Sequence, residues 1–226
     1  MKTVVITGAG SGLGSELAYA FSELDYEVCL LGRTLDKLEM ASQKIKGKSS
    51  IYEVDITESK GVTEVFKKIY ESLDTVDCLV NNAGVGIFKS LAEMDNREID
   101  LLIDTNVKGA IYCTKEVLPD MQCRNGGDIL NIISNSGKTA KADEIIYSAS
   151  KFGMRGFSEA LTDLTKDTDI RVLAAYMGNM NTSLWREDEP AERKSYASPK
   201  DVTKIIMDHF QDRENVFSSD IVIENQ

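Results

Sequence analysis

The sequence predicts an α/β protein built on a doubly wound parallel sheet of about seven strands, with helices on both faces. Short β-branched runs alternate with helical-period segments along the chain, the pattern of right-handed βαβ units. The first run, Lys2 to Ile6, opens directly into Gly8-Ala9-Gly10-Ser11-Gly12-Leu13-Gly14. No repeat, low-complexity tract or linker divides the 226 residues, so 1–226 reads as one domain.

After the glycine cluster, Leu13, Leu17, Ala20, Phe21 and Leu24 keep a helical period. Strand, glycine turn and helix in that order let the backbone approach a pyrophosphate, which would rest on the unpaired N–H groups at the helix start. That context predicts dinucleotide binding and a single-domain Rossmann fold. The second strand, Glu27 to Leu31, closes at Gly32-Arg33-Thr34. An NAD-preferring site places an acid here, about 20 residues past the loop, to hold the ribose hydroxyls. This chain has Gly32 and then Arg33, whose guanidinium can grip a 2′-phosphate. The expectation is NADP(H), with NAD(H) the less favoured alternative.

Thr34 is a candidate N-cap for a helix to about Ile45. Ser50 to Val54 reads as a third strand ending at Asp55, and Val62, Val65, Phe66, Ile69 and Leu73 give the next helix an apolar face. Val76 to Val80 is a fourth strand running into Asn81-Asn82-Ala83-Gly84. Ligands bind at the carboxyl ends of parallel strands, so the glycine cluster, Arg33, Asp55 and Asn82 should share one edge. A helical region from about Arg97 to Met121 carries Asn106 inside it, a mildly unfavourable place for asparagine and hence a candidate polar site.

Asp128 to Ile133 is a fifth strand with Ser134-Asn135-Ser136-Gly137 at its end, and a helix follows through Tyr147, Phe152, Phe157 and Leu161. Ile170 to Ala175 is a sixth strand. The irregular, charged segment at about 179–197 is expected to be a substrate loop, in which Trp185 either covers an apolar substrate or docks on the body. Ser198-Pro199-Lys200-Asp201 has the order of a helix start, and Ile221 to Ile223 is the last strand.

Composition narrows the function classes. Apolar residues make up 42% and charged ones 28%, and the net charge of −11 comes without a basic stripe, which argues against nucleic acid and anionic membrane as partners. No apolar run approaches the roughly 20 residues of a membrane span, and the start is not a secretory signal. Cys29, Cys78, Cys113 and Cys123 form no C-x-x-C pair and His209 is the single histidine. Reduced thiols in a cytoplasmic protein are expected, without a metal site or a Ser-His-Asp triad.

In Tyr147-Ser148-Ala149-Ser150-Lys151 the tyrosine and lysine project from one helix face. An ammonium beside the phenol favours the phenolate and draws the tyrosine pKa toward neutrality. Such a tyrosine can exchange a proton with a carbonyl or alcohol oxygen. The spacing alone is common on surface helices; its neighbours in the chain give it weight.

With these pieces in place, the chain resembles the short-chain dehydrogenase/reductase family over nearly its whole length. T-G-x-x-x-G-x-G is Thr7 to Gly14, N-N-A-G is Asn81 to Gly84, and Y-x-x-x-K is Tyr147 and Lys151, with Asn106 and Ser134 matching the family's asparagine and serine. The resemblance implies hydride transfer between NADP(H) and a small carbonyl or secondary alcohol. Tyr147 would be the general acid or base, Ser134 would hold the substrate oxygen, Lys151 would bind the nicotinamide ribose and lower the tyrosine pKa, and Asn106 would hold a relay water. It implies cofactor contacts from Gly8, Gly10, Ser11, Gly12, Leu13, Gly14, Arg33, Asp55, Ile56, Asn82, Ala83, Gly84, Tyr147, Lys151, Gly178 and Thr182. It also implies a homodimer or homotetramer through the long helices after strands four and five. Met177-Gly178 departs from the family's Pro-Gly, and Ile133-Ser134 from its common Ser-Ser. Two other readings are a non-catalytic dinucleotide sensor or scaffold, and an extended-type epimerase or dehydratase. The second is disfavoured because little chain remains after strand six.

Overall fold

The chain folds as β1 (Thr3–Thr7), α1 (Gly12–Glu23), β2 (Glu27–Gly32), α2 (Leu35–Ser42), β3 (Ser49–Glu53), α3 (Ser59–Ser72) and β4 (Cys78–Asn81). Its second half is α4 (Asn96–Ile103), a π turn (Asp104–Lys108), α5 (Gly109–Arg124), β5 (Gly127–Ile132), α6 (Ile145–Thr165), β6 (Ile170–Met177), α7 (Pro199–Gln211) and β7 (Ser219–Ile223). This computed structural model describes residues 1–182, 184, 196–213 and 219–223. All seven strands pair in parallel in the order β3-β2-β1-β4-β5-β6-β7. The order reverses between β1 and β4, which opens a crevice at their carboxyl ends.

Strand periodicity sorts the core. Val4 and Ile6 of β1 face Leu13, Leu17, Phe21 and Phe210 on one side, while Val5 faces the side that holds Val65, Phe66, Ile69, Val117 and Met121. Successive strand residues point to opposite faces, so α1 and α7 cover one side, and α3 and α5 the other. Phe21 and Phe210 meet edge to face, with centroids 4.9 Å apart. Both faces being buried explains why the strands read as continuous apolar runs.

Some boundaries differ from expectation. The α2 helix ends at Ser42 and continues only as single turns to Ile45. Thr34 holds the N-cap position, but its side chain makes no capping bond among the described residues, and Asp36 supplies the negative charge in the first turn instead. Ser198 does cap α7, accepting from the Asp201 N–H at 3.1 Å. The β6 strand runs two residues past Ala175, because Met177 pairs with Ile223 and the Gly178 N–H reaches the Ile223 carbonyl at 3.0 Å. The helix expected from Arg97 to Met121 is interrupted by the π turn, and Asn106 lies within it. Among the described residues no helix is long and apolar enough to cross a membrane. His209 is exposed, and burial pushes the Cys29 and Cys113 thiols up to about 12.

Arg171 is a charge fully buried in β6. Its Nε donates to Asp128 Oδ1 at 2.8 Å and its guanidinium also reaches the Phe210 carbonyl at 2.8 Å. Arg213 adds a second donor to the same carboxylate oxygen at 2.7 Å. The cluster ties β5, β6 and the end of α7 together. Removing one partner of a buried pair leaves a costly charge behind, so Asp128→Ala should lower unfolding stability by about 3–5 kcal/mol. Denaturant titration checks this, and a loss near zero would mean Arg171 is satisfied without Asp128.

Candidate active site

One hydroxyl joins the strand ends beneath the crevice. Thr7 Oγ1, at the end of β1, donates to the Val80 carbonyl and accepts from the Asn82 and Ala83 N–H groups, both at 3.0 Å. The Asn82 amide returns a bond to the Thr7 carbonyl at 2.9 Å. The N-N-A-G segment is thereby fixed against the glycine loop. Gly14 explains part of the glycine spacing: a Cβ there would sit 2.3 Å from the Gly8 carbonyl oxygen and 2.5 Å from Asn82 Nδ2.

A cavity of about 500 Å³ runs along this edge. Gly8, Gly10, Ser11, Gly12, Leu13, Arg33, Asp55, Ile56, Asn82, Ala83, Gly84, Ser134, Tyr147, Lys151, Gly178 and Thr182 all line it. The structure thus brings together all but two of the residues expected in the site. Gly14 is a packing residue behind the loop, as its contacts show. Asn106 is buried behind the wall: its Oδ1 accepts from the Val85 N–H at 2.8 Å, and its Nδ2 donates to the Val85 carbonyl and Ser150 Oγ at 2.9 and 3.0 Å. Those bonds make Asn106 a clamp between the loop after β4 and α6.

The outer end of the cavity is cationic, with Arg33 and Lys37 on its wall. Arg33 stands 3.7 Å from the Asp55 carboxylate, and both are substantially exposed. Gly12 has φ of +58°, a backbone state that favours glycine, and a Cβ there would point toward Thr182 at 3.4 Å. A bare loop at a helix start, backed by two cations, fits a dinucleotide phosphate.

At the inner end α6 packs hard against the loop after β5. A Cβ on Gly137 would lie 2.9 Å from the Lys151 carbonyl oxygen, so a side chain there would push the helix away. The Ser134 hydroxyl accepts from the Ser136 N–H at 3.1 Å, and Ser134 shares the cavity wall with Tyr147. Phe88 meets the tyrosine ring edge to face at 5.2 Å.

The electrostatics differ from the expectation that Lys151 lowers the phenol. Burial pushes Tyr147 up to about 12; the Ser134 hydroxyl pulls back and the Glu144 charge adds to the rise. Burial likewise lowers Lys151 to about 8. The ammonium lies 5.6 Å from the centre of the tyrosine ring, and desolvation of both groups outweighs their attraction.

The sequence does not single out Lys37, Thr105 or Glu144, which are on the cavity wall, while Ser136 belongs to the segment after Ser134 expected there. Spacing could have found two of them, since Lys37 follows Arg33 by four residues and Glu144 precedes Tyr147 by three. Of the segment 179–197, Asn179, Met180, Thr182 and Leu184 line the cavity. Ser183, Trp185 and residues 186–195 lie outside the described residues.

The chain is similar to known proteins. A family model described as short chain dehydrogenase matches residues 2–193. An uncharacterized oxidoreductase of Staphylococcus saprophyticus is 30% identical over 226 residues, covering 98% of this chain and 96% of the relative. Among solved structures, a metagenomic short-chain oxidoreductase in complex with NADP is 26% identical with a TM-score of 0.86, covering 100% of this chain and 97% of the other. The closed form of a serine dehydrogenase complexed with NADP+ is 26% identical with a TM-score of 0.90, covering 97% and 93%.

Lys151 carries the cost of its burial as long as it is charged, and among the described residues no carboxylate pairs with it. At pH 7 the lysine is protonated both folded and unfolded. As pH rises from about 8 toward 10.5 the folded protein loses this proton while the unfolded chain keeps it, so the folded state gains stability. A fall from 10.5 to about 8 corresponds to on the order of 3 kcal/mol. Lys151→Met should therefore be more stable than the parent at pH 7 by an amount of that order, with the gap closing toward pH 10. Tyr147 does not interfere, because its raised pKa adds stability that is lost only above about 10. Denaturant melts at pH 7, 8.5 and 10 check this, and a pH-independent difference would contradict it.

Proposed function

The chain belongs to the short chain dehydrogenase family of oxidoreductases, and on that footing we propose that it reduces a small carbonyl compound, or oxidises the matching secondary alcohol, with NADP(H). The observation that supports this reading is one cavity lined both by the glycine loop, Arg33 and Lys37 and by Ser134, Tyr147 and Lys151. Residues 1–226 act in this reading as one nucleotide-binding domain. Exposed Ile111 on α5 and Phe152 on α6 support assembly as a homodimer or homotetramer.

Bound NADPH would supply a hydride to the carbonyl carbon. Tyr147, kept protonated at neutral pH by its burial, donates its proton to the carbonyl oxygen as that oxygen gains charge. Ser134 donates a hydrogen bond to the same oxygen and steadies the developing anion. Lys151 stabilises the phenolate left behind, and solvent restores the proton. Alcohol oxidation runs the same proton path backwards. Asn106 takes part by fixing Val85 and Ser150, which set the wall and the helix beside the reacting groups. At the outer end, Arg33 and Lys37 bind the 2′-phosphate, and Gly8 to Leu13 receive the pyrophosphate.

Two measurements test this with a panel of ketones, aldehydes and quinones. The parent should prefer NADPH to NADH in kcat/KM, and Arg33→Ala should reduce that preference by about 10- to 100-fold, the worth of a charged hydrogen bond. Equal use of both nicotinamides by the parent would remove Arg33 from the argument. Tyr147→Phe should bind NADPH with nearly unchanged Kd and lose about 10²- to 10⁴-fold in turnover. Retained turnover would assign the proton to another group.

A further inference from the structure

Glu144 is a buried carboxylate on the cavity wall that does not cap the helix it begins. It sits at the N-cap position of α6, where an acid side chain would ordinarily bond the free N–H groups of the first turn. It makes no such bond among the described residues. Its Oε2 instead accepts from Ser136 Oγ at 2.6 Å, and its Oε1 from Lys141 Nζ at 3.1 Å. Lys141 is half exposed while Glu144 is 7% exposed, so the cation lies on the solvent side and the carboxylate is left on the cavity wall. That wall is shared with Ser134, Ser136 and Tyr147. A smaller adjoining cavity of about 230 Å³, lined by Ser134, Ser136, Lys141 and Met177–Asn179, continues from it.

An ionised carboxylate offers about four acceptor positions, and the two bonds above use half of them. Glu144 precedes Tyr147 by three residues and lines the same cavity as Tyr147 and Ser134, so the acceptor positions not taken by Ser136 and Lys141 are on offer to a molecule in that cavity. Resting on the carbonyl reading of this end of the cavity, we propose that Glu144 selects the substrate. The class is a small carbonyl compound with a hydrogen-bond donor, an ammonium or a hydroxyl, on the carbon next to the reacting one. The reverse substrate is the corresponding vicinal amino alcohol or diol. Lys141 anchors the carboxylate from outside, and Ser136 fixes its rotation. The same buried charge repels substrates that carry a carboxylate at that position.

The test measures NADPH oxidation with aminoacetone, hydroxyacetone, butanone and pyruvate, in the parent and in Glu144→Gln. In the parent, kcat/KM should be at least tenfold higher for aminoacetone and hydroxyacetone than for butanone, with pyruvate the poorest. Glu144→Gln removes the charge and keeps an acceptor oxygen. It should cut aminoacetone at least tenfold, cut hydroxyacetone less than threefold and raise pyruvate, with NADPH affinity unchanged by cofactor fluorescence. A parent that handles butanone as well as the donor-bearing ketones overturns the inference. So does a variant in which all four substrates fall together, the result of a merely structural role. If NADPH binds but no carbonyl compound is turned over, the reading of the protein as a carbonyl reductase fails, and this inference with it.

Discussion

The Thr7 hydroxyl holds the seam from which the rest of the molecule is laid out. Its three bonds join the ends of β1 and β4 where the strand order reverses. To one side of that joint the chain carries the glycine loop, Arg33 and Lys37, and to the other it carries Ser134 and the helix with Tyr147. A buried hydroxyl with all its bonding capacity used is rigid in a way apolar packing is not, because each bond has a direction. The Asn82 amide repeats the tie from the opposite strand. The two sides of the cavity are thereby tied to one seam.

At the inner end, function and stability pull apart. Tyr147 and Lys151 lie on one face of α6, pressed into the protein by the closeness of that helix to Gly137. Burial raises the pKa of one and lowers that of the other, so each moves toward its neutral form. A lysine without a carboxylate partner among the described residues is a poor choice for a stable core.

Much of this was legible in the chain, for physical reasons that differ by element. Strands such as Val4-Val5-Ile6 announce themselves because both faces of a parallel sheet are buried, and α3 does so because one face is not. The glycine loop was legible because few backbones other than glycine tolerate that turn and that closeness. The π turn at Asn106 was not, since one extra residue in a helical turn leaves no periodic trace. Arg171 and Asp128 were opaque for a related reason: they are 43 residues apart, and only strand pairing brings them together. Spacing reveals the charge beside Tyr147 but not how little water surrounds the phenol, and it is burial that sets the direction of its shift.

The outer end obeys a different balance. Arg33 faces Asp55 at 3.7 Å with both side chains in contact with solvent, and exposed pairs of this kind contribute about 0–1 kcal/mol. A phosphate oxygen bound by the same guanidinium would gain about 1.5–3 kcal/mol, so Asp55 is a weak competitor for it. The pair is better understood as a rest for Arg33, holding the guanidinium over the cavity mouth at little cost to whatever displaces it. Lys37, on the same wall, adds positive charge without such a partner among the described residues. Discrimination at this end would rest on attraction for a dianion, with no acid placed at Gly32 to reward a plain ribose.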